Sequence, residues 1–362
     1  MSTIQPDQIY PDSLRDWLRA AVEREASDLH VVAGYPPMLR VHGELHELEP
    51  EALEPEAVRG LLMQSCPPHA LERFREDRNA DFALDLPLGE RLQRFRANYF
   101  MSGQQMGACF RVIPAEIPDF QWAGFPEELA RRISHYRNGL VLLCGVVGSG
   151  KTTSLAMLIN LLNNEGGYRI ITVEEPVEYL FPKAPRSVVT QREVGLDVHT
   201  FADGLKYALR QDPDVILVGE IRDRQTAQMA LSAAETGHLV FSTLHTRDAK
   251  GAISRYADLF PQNDQREVRA QLSLSLRAVV SQHLLPNVRA GEKRVLGLEI
   301  LFNNSAVASS VRWGKVESID NIILTSRAEG MLTLDESIKR LLHDGRISRE
   351  TAERFVTSSA RL

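Results

Sequence analysis

The chain is poor in cysteine, in net positive charge and in long apolar runs, and each shortage excludes a class of protein. Its three cysteines, Cys66, Cys109 and Cys144, form no CxxC pair, which indicates free thiols rather than disulfides or structural zinc. None of the ten histidines stands in an HExxH or paired metal-ligand spacing. No run approaches the roughly 18 apolar residues of a membrane span, and the N-terminus lacks the pattern of a secretory leader. We therefore expect a cytoplasmic protein that reaches a membrane only through partners.

The formal net charge of −6 argues against nonspecific nucleic-acid binding, which needs a basic face to neutralise phosphates. A small local basic patch is compatible with this charge. Hydrophobic residues make up 43% and charged residues 25% of the chain, which is typical of a soluble globular protein. Its 362 residues exceed the length at which one core usually stops growing, so two domains are predicted.

Composition changes along the chain predict how it is organised. Residues 1–113 have the pattern of a small α/β domain, in which Met38–Leu45 alternates like a strand. Residues 114–126, punctuated by prolines, are the predicted linker. Apolar strands then alternate with helices over 127–302, which is typical of a parallel sheet covered on both faces and indicates a RecA-like P-loop core. Residues 303–362 have the pattern of a mainly helical tail.

The most informative segment is GVVGSGKT at Gly145–Thr152, which fits the phosphate-loop pattern of Gly, four residues and Gly-Lys-Thr. A short apolar run, Leu140–Cys144, precedes it as a predicted strand, and helical spacing follows over Thr152–Asn163. Such a unit surrounds a phosphate with backbone N–H groups and a helix N-terminus. Lys151 is predicted to contact the β- and γ-phosphates and the Thr152 hydroxyl to bind Mg²⁺. The predicted nucleotide-binding residues are Gly145, Val146, Val147, Gly148, Ser149, Gly150, Lys151, Thr152 and Thr153.

Two further predicted strands end in carboxylates, which hydrolysis needs in order to hold Mg²⁺ and orient water. The apolar strand Asp214–Glu220 has the form of a Walker B element, and Glu220 at its carboxyl end is expected to act on the metal and in catalysis. The segment Ile171–Tyr179 also ends in acids. Glu174, the first to leave the strand, is favoured as the residue that polarises water, and Glu178 is its competitor.

A pair of histidines brackets the predicted strand within Glu235–Thr246. Thr243 and His245, at the carboxyl end of that strand, could sense the γ-phosphate or relay its loss. A lone histidine is more often structural, and of His238 and His245 the second is the favoured reporter.

These four segments together resemble the secretion ATPase superfamily of type II secretion and type IV pili. That family shows a Walker A loop, an acidic box of the form ITxEDPxE, a Walker B strand within RQDPDxxxVGEIRD and a His box of the form TGHLVFxTLHT. This chain has GVVGSGKT, ITVEEPVE at 171–178, RQDPDVILVGEIRD at 210–223 and TGHLVFSTLHT at 236–246. The resemblance implies an α/β fold made of an N-terminal PAS-like α/β domain, a RecA-like P-loop NTPase core and a C-terminal helical tail.

Within the superfamily the N-terminal part resembles the pilus retraction motors, the PilT group, at Ala26–Leu45 and Arg94–Phe100. The chain departs from the group pattern at Glu175, where Asp is usual, and at Val146-Val147, where Pro-Thr is common. The AIRNLIRE-like motif of the retraction motors is replaced by AVASSVRW at Ala306–Trp313. A PilU-type accessory motor and a module that binds ATP with little turnover therefore stay open.

The resemblance implies a homo-hexameric ATPase that uses ATP and Mg²⁺ and powers pilus retraction, and hence twitching motility. An arginine is expected to stabilise developing phosphate charge, with Arg96, Arg111 and Arg210 as candidates. The implied partners are an inner-membrane pilus platform protein and a paralogous retraction ATPase, at the cytoplasmic face of the inner membrane.

Two other functions are alternatives. Pilus assembly or type II secretion is the alternative inside the superfamily. A RecA-like nucleic-acid translocase is the alternative outside it, and the net charge argues against that function.

Overall fold

The computed structural model describes residues 11–41, 43–88, 91–289 and 292–356. The described chain forms two compact units. The first unit runs through Glu116 and also contains Glu175–Leu180 and Gly195–Asp197. The second contains Ile117–Glu174, Phe181–Val194 and the described chain from Val198 onward. The segment after Glu174 thus leaves the second unit, contributes to the first and returns.

The first unit has an antiparallel sheet in the order β3-β2-β1-β6-β5-β4. Its strands are β1 (Asp28–Val32), β2 (Met38–Val41), β3 (Glu44–Glu47), β4 (Asn79–Leu88), β5 (Arg91–Ser102) and β6 (Gln105–Val112). The single strand predicted over Met38–Leu45 is therefore wrong, because β2 and β3 pair as a hairpin instead. Gly43 in the turn has a φ of +93°, which a glycine adopts without steric cost.

Helices cover the sheet of the first unit through their apolar faces. They are α1 (Asp12–Glu23), α2 (Pro55–Ser65) and α3 (Pro68–Asp77). Leu14, Leu18 and Ala21 share one face of α1 at helical spacing and are fully buried. They belong to the same apolar core as Tyr99, whose ring meets Phe110 edge to face.

The second unit has a mixed sheet in the order β13-β12-β7-β11-β10-β8-β9. Its strands are β7 (Gly139–Cys144), β8 (Arg169–Glu174), β9 (Val188–Glu193), β10 (Val215–Val218), β11 (Leu239–Leu244), β12 (Leu276–Leu285) and β13 (Val295–Phe302). Neighbouring strands are parallel except β12 and β13, which form an antiparallel pair. Every residue of β7, β10 and β11 is buried, as expected of strands covered on both faces. The α/β fold class is confirmed.

The second unit also contains the helices that precede, connect and follow these strands. They are α4 (Phe120–Ala123), α5 (Glu127–Ser134), α6 (Lys151–Glu165), α7 (Phe201–Ala208), α8 (Arg224–Glu235), α9 (Ala249–Asp258), α10 (Gln265–Ser275), α11 (Ser305–Trp313), α12 (Ile319–Thr325), α13 (Leu334–His343) and α14 (Arg349–Phe355), with single 3₁₀ turns at Val316–Ser318 and Arg327–Glu329. Asp223 and Asp248 cap α8 and α9 through their carboxylates. Over the described part of the chain, none of the helices has the length and apolar character to cross a membrane.

Candidate functional site

The loop between β7 and α6 has the backbone geometry of a phosphate cradle. Gly145 has a φ of +150°, and a Cβ placed on it would lie 2.6 Å from the carbonyl oxygen of Gln282 on β12. A side chain at this position is therefore excluded both by backbone conformation and by space. Gly150 has a φ of +89° and precedes the first helical residue, Lys151. The positive end of the α6 dipole therefore faces the loop, as an anion site requires.

Lys151 lies inside the curve of this loop and is buried. Its Nζ donates hydrogen bonds to the carbonyl oxygens of Gly145, at 2.8 Å, and Val146, at 3.1 Å. Burial lowers the pKa of Lys151, while the nearby Cys144 and Glu220 raise it. The ammonium therefore lies within the loop that the sequence predicts to bind phosphate. Thr152 and Thr153 follow in the first turn of α6, where Thr152 is exposed.

Glu220 follows the carboxyl end of β10, two strands away from the phosphate loop in the sheet order. Its side chain is buried, with one oxygen 2.6 Å from Arg222 Nη2 and the other 3.3 Å from His245 Nε2. Lys151 and Glu220 are close enough to influence each other electrostatically. One buried carboxylate therefore lies among three basic side chains, Lys151, Arg222 and His245.

His245 leaves the carboxyl end of β11, and its half-exposed ring faces Glu220. Burial lowers the pKa of His245, and the positive charge of Lys151 lowers it further, whereas Glu220 raises it. The neighbouring Thr243 is buried and donates a 2.7 Å hydrogen bond to the carbonyl of Gly219. Thr243 thereby ties β11 to the segment that carries Glu220.

His238 lies at the opposite, amino end of β11, away from the phosphate loop. Its Nδ1 is 3.0 Å from the carbonyl oxygen of Ala233 and 3.3 Å from the Thr236 hydroxyl. The two bracketing histidines are thus separated by the length of the strand, and only His245 lies with Glu220.

The two acidic-box candidates belong to different units of the chain. Glu174 ends β8 and is buried, and its carboxylate accepts hydrogen bonds from Thr172 Oγ1 at 2.6 Å and Gln191 Nε2 at 3.3 Å. Glu178 belongs to the first unit, where its carboxylate lies 3.4 Å from Arg96 Nη1. Glu174 and Glu178, with only three residues between them, therefore lie in different environments.

The candidate arginines of the first unit are direct cross-strand neighbours, because Arg96 on β5 is in register with Arg111 on β6. Arg96 also lies 3.5 Å from Asp81, and Arg111 Nε donates a 3.0 Å hydrogen bond to Asp28. Both guanidinium groups are thus paired with carboxylates of their own unit. Arg210, the third candidate, is exposed in the turn after α7.

Two residues at the site escaped the sequence reasoning. Arg222 stands two residues after Glu220, so its charge and spacing could have indicated it. Gln282 is fully buried on β12, where its Nε2 donates a 2.7 Å hydrogen bond to Ser154 on α6. A buried amide in a strand has no local sequence signal, since only the fold reveals what lies opposite it.

The side chains at the loop fit a nucleotide with Mg²⁺ better than a metal held by the protein alone. Among the described residues, no group of three or more His, Cys, Asp or Glu side chains could hold a metal ion. Mg²⁺ usually takes one or two protein oxygens together with substrate phosphates and water. The Thr152 hydroxyl and the Glu220 carboxylate are oxygens of that kind.

Comparison with known proteins identifies the family. The model of the family described as type II/IV secretion system protein matches residues 5–354. The chain belongs to this family. It is 40% identical to the type IV pilus retraction ATPase PilT of Pseudomonas aeruginosa over 339 residues, covering 94% of this chain and 96% of that protein. It is 36% identical to the type IV pilus ATPase PilU of the same bacterium, covering 92% and 86%.

A solved structure has the same fold. The crystal structure of the pilus retraction motor PilT with bound ADP superposes with a TM-score of 0.83 at 38% identity, covering 96% of this chain and 98% of that one. The resemblance to the secretion ATPase superfamily that the sequence motifs predicted is confirmed.

The geometry of Gly145 generates a prediction about nucleotide binding. We expect Gly145→Ala to weaken ADP binding about tenfold or more, because the new Cβ must displace β12 or distort the loop, at a cost of roughly 1–3 kcal/mol. Titration calorimetry with ADP measures this. Gly60→Ala in α2, where a Cβ meets nothing within 4 Å, is the matched control and should bind as the wild type does. Equal affinity of both variants would contradict the prediction.

Proposed function

We propose that the protein is an ATP-hydrolysing motor of type IV pilus retraction that works as a homo-hexamer. The observation that carries the proposal is the cluster of Lys151, Glu220 and His245 at the phosphate loop, within a chain similar to PilT over nearly its whole length. In contrast, the chain spans only about half the length of the type II secretion protein E of Dickeya dadantii, at 35% identity. The higher identity to PilT, over nearly the whole of both chains, favours retraction over type II secretion.

Different residues carry out binding and hydrolysis. The loop Gly145–Thr153 wraps the phosphates, and the Lys151 ammonium exchanges its carbonyl partners for phosphate oxygens. Thr152 and Glu220 would hold Mg²⁺, which neutralises phosphate charge when bound. Glu174 orients and deprotonates the attacking water, with Glu178 as the competing candidate. His245, in contact with Glu220, reports the state of the phosphates.

Coupling to work rests on residues and partners outside this cluster. Arg96 and Arg111, or Arg210, supply the positive charge that phosphoryl transfer requires, from the same or an adjacent subunit. The hexamer acts on an inner-membrane pilus platform protein at the cytoplasmic face of the membrane, together with a paralogous retraction ATPase. An accessory, PilU-like role is the second candidate, because AVASSVRW at Ala306–Trp313 departs from the retraction-motor pattern.

ATP hydrolysis by the purified chain tests the enzymatic part. We expect magnesium-dependent turnover that Lys151→Ala lowers at least about a hundredfold, because the phosphates lose their buried cation. Lys339→Ala, at an exposed position on α13, is the control and should keep wild-type turnover. Single-stranded DNA should not stimulate the rate, and stimulation would favour the nucleic-acid translocase.

The two acidic-box candidates can be separated by matched substitutions. We expect Glu174→Gln to reduce kcat by about 10²–10⁴-fold while ATP still binds, because a general base is lost but the phosphate contacts stay. Glu178→Gln should change kcat by less than about tenfold. Single-turnover hydrolysis and ATP titration measure the two effects, and the reverse ranking would assign the base to Glu178.

The direction of the motor is tested in the source bacterium. A deletion strain should carry excess surface pili and lose twitching motility, since pili still assemble but are not withdrawn. Complementation with the wild-type gene should restore motility, whereas the Lys151→Ala gene should not. A deletion strain without pili would instead indicate an assembly motor.

A further inference from the structure

The segment that carries His245 is anchored by side chains from the strands behind it. After β11 the chain runs through residues 245–248 into α9, and this segment is held at the carbonyl oxygen of Arg247. Ser281 Oγ donates a 2.8 Å hydrogen bond to that oxygen, and His283 Nε2 lies 2.9 Å from it. Both side chains come from β12, which also borders the phosphate loop.

Three side chains in register form an anchoring row across β7, β12 and β13. Cys144 pairs with Ser281, and Ser281 pairs with Glu299. Each of the three contacts the segment at 247–249. Cys144 Sγ lies 3.6 Å from the carbonyl oxygen of Asp248, and Glu299 Oε1 accepts a 2.7 Å hydrogen bond from the Ala249 N–H. Since Cys144 directly precedes Gly145, the row joins the phosphate loop to the His245 segment.

Two of the three side chains in the row keep the same charge at all pH values near neutral, and the third, Glu299, does not. Burial raises the pKa of the Cys144 thiol to about 12, so the thiol keeps its proton and stays a donor. The Ser281 hydroxyl does not titrate. Of the three side chains in the row, Glu299 alone can change charge near neutral pH, because burial raises its pKa to about 7. The hydrogen bond from the Ala249 N–H acts in the opposite direction and lowers this pKa.

The charged groups around Glu299 come from several elements. Asp248 in the loop and Asp320 on α12 raise its pKa further, whereas Lys250 on α9 lowers it. His283 on β12 faces the same loop, and the negative charge of Glu299 raises the pKa of Cys144 on β7. Ala249 is the first residue of α9, so ionised Glu299 places a negative charge at the N-terminus of that helix. This charge strengthens the hydrogen bond that Glu299 accepts from the Ala249 N–H.

The same helical turn is tied to the C-terminal region. Lys250 Nζ lies 2.9 Å from Asp320 and 3.4 Å from Glu317, which belong to α12 and the 3₁₀ turn before it. Glu299 and Lys250 therefore hold the first turn of α9 from two sides. A shift of this turn moves the segment that places His245 against Glu220.

We propose that Glu299 is a positioning residue for hydrolysis, whose carboxylate holds the start of α9 and thereby sets the contact of His245 with Glu220. This rests on the proposed ATPase function. Because Glu299 holds the backbone N–H of Ala249, it acts on turnover through the segment that carries His245 and leaves the affinity of the phosphate loop intact. Loss of its charge, by a proton or by substitution, loosens the segment.

Glu299→Gln in the full-length protein tests the proposal, because the amide keeps the shape and removes the charge. We expect kcat at pH 8 to fall about tenfold, in the range that misplacement of an active-site group produces, with KM for ATP within twofold of wild type. The wild-type increase of kcat between pH 6 and pH 8 should be absent in the variant. Glu292→Gln in the same β12–β13 hairpin, where Glu292 contacts Arg289 and Asn287, is the matched control.

Hydrogen exchange in the absence of nucleotide provides the second measurement. Peptides covering 245–252 should exchange faster in Glu299→Gln than in wild type or Glu292→Gln at pH 7.5, while peptides of the phosphate loop stay unchanged. Should Glu299→Gln not fold, Ser281→Ala removes the neighbouring anchor and is expected to lower kcat while keeping the wild-type pH profile.

The positioning role would be overturned if Glu299→Gln had the kcat, the pH profile and the hydrogen exchange of the wild type. It would also be overturned if Glu292→Gln changed these quantities as much as Glu299→Gln does. Absence of hydrolysis by the wild-type protein would instead contradict the proposed ATPase function, and the exchange measurement would still decide whether Glu299 holds the segment.

Discussion

The close packing of β12 against the first residue of the phosphate loop is the constraint on which the rest of the site depends. At Gly145 the chain leaves β7 with a positive φ. The Gln282 carbonyl oxygen lies so close that a Cβ at position 145 would clash with it. Only glycine meets both demands. The turn brings the Gly145 and Val146 carbonyls around Lys151 and starts α6 at the point where its dipole faces the loop.

The parallel sheet then brings the charged groups to the same edge. β7, β11 and β10 are adjacent and parallel, so the residues that follow their carboxyl ends meet. A buried ammonium and a buried carboxylate are each costly when isolated, and here each offsets part of the other's desolvation. Arg222 and His245 leave the cluster around Glu220 with an excess of basic groups, which a polyphosphate would balance.

Much of this arrangement could be predicted from sequence, because local patterns encode it. The apolar runs locate β7, β10 and β11, and Gly145, Lys151 and Glu220 occupy fixed positions relative to them. Contacts between distant parts of the chain have no such pattern. The approach of Gln282 to Ser154 and the departure of Glu175–Leu180 into the first unit depend on which strands become neighbours, so periodicity could not indicate them.

The antiparallel pair β12–β13, at the edge of the sheet, anchors the segment that carries His245. It places Ser281 and Glu299 in register with Cys144. The polar groups of these side chains therefore reach the backbone of the His245 segment. A partly buried carboxylate such as Glu299 is costly in apolar surroundings, and a helix N-terminus is one of the few partners that a single chain can supply to offset it. Because Lys250 on the same turn pairs with Asp320 and Glu317, sequence changes in the C-terminal helices have a direct physical route to the nucleotide site. AVASSVRW forms α11, the helix that precedes those acids, and so belongs to the same C-terminal region.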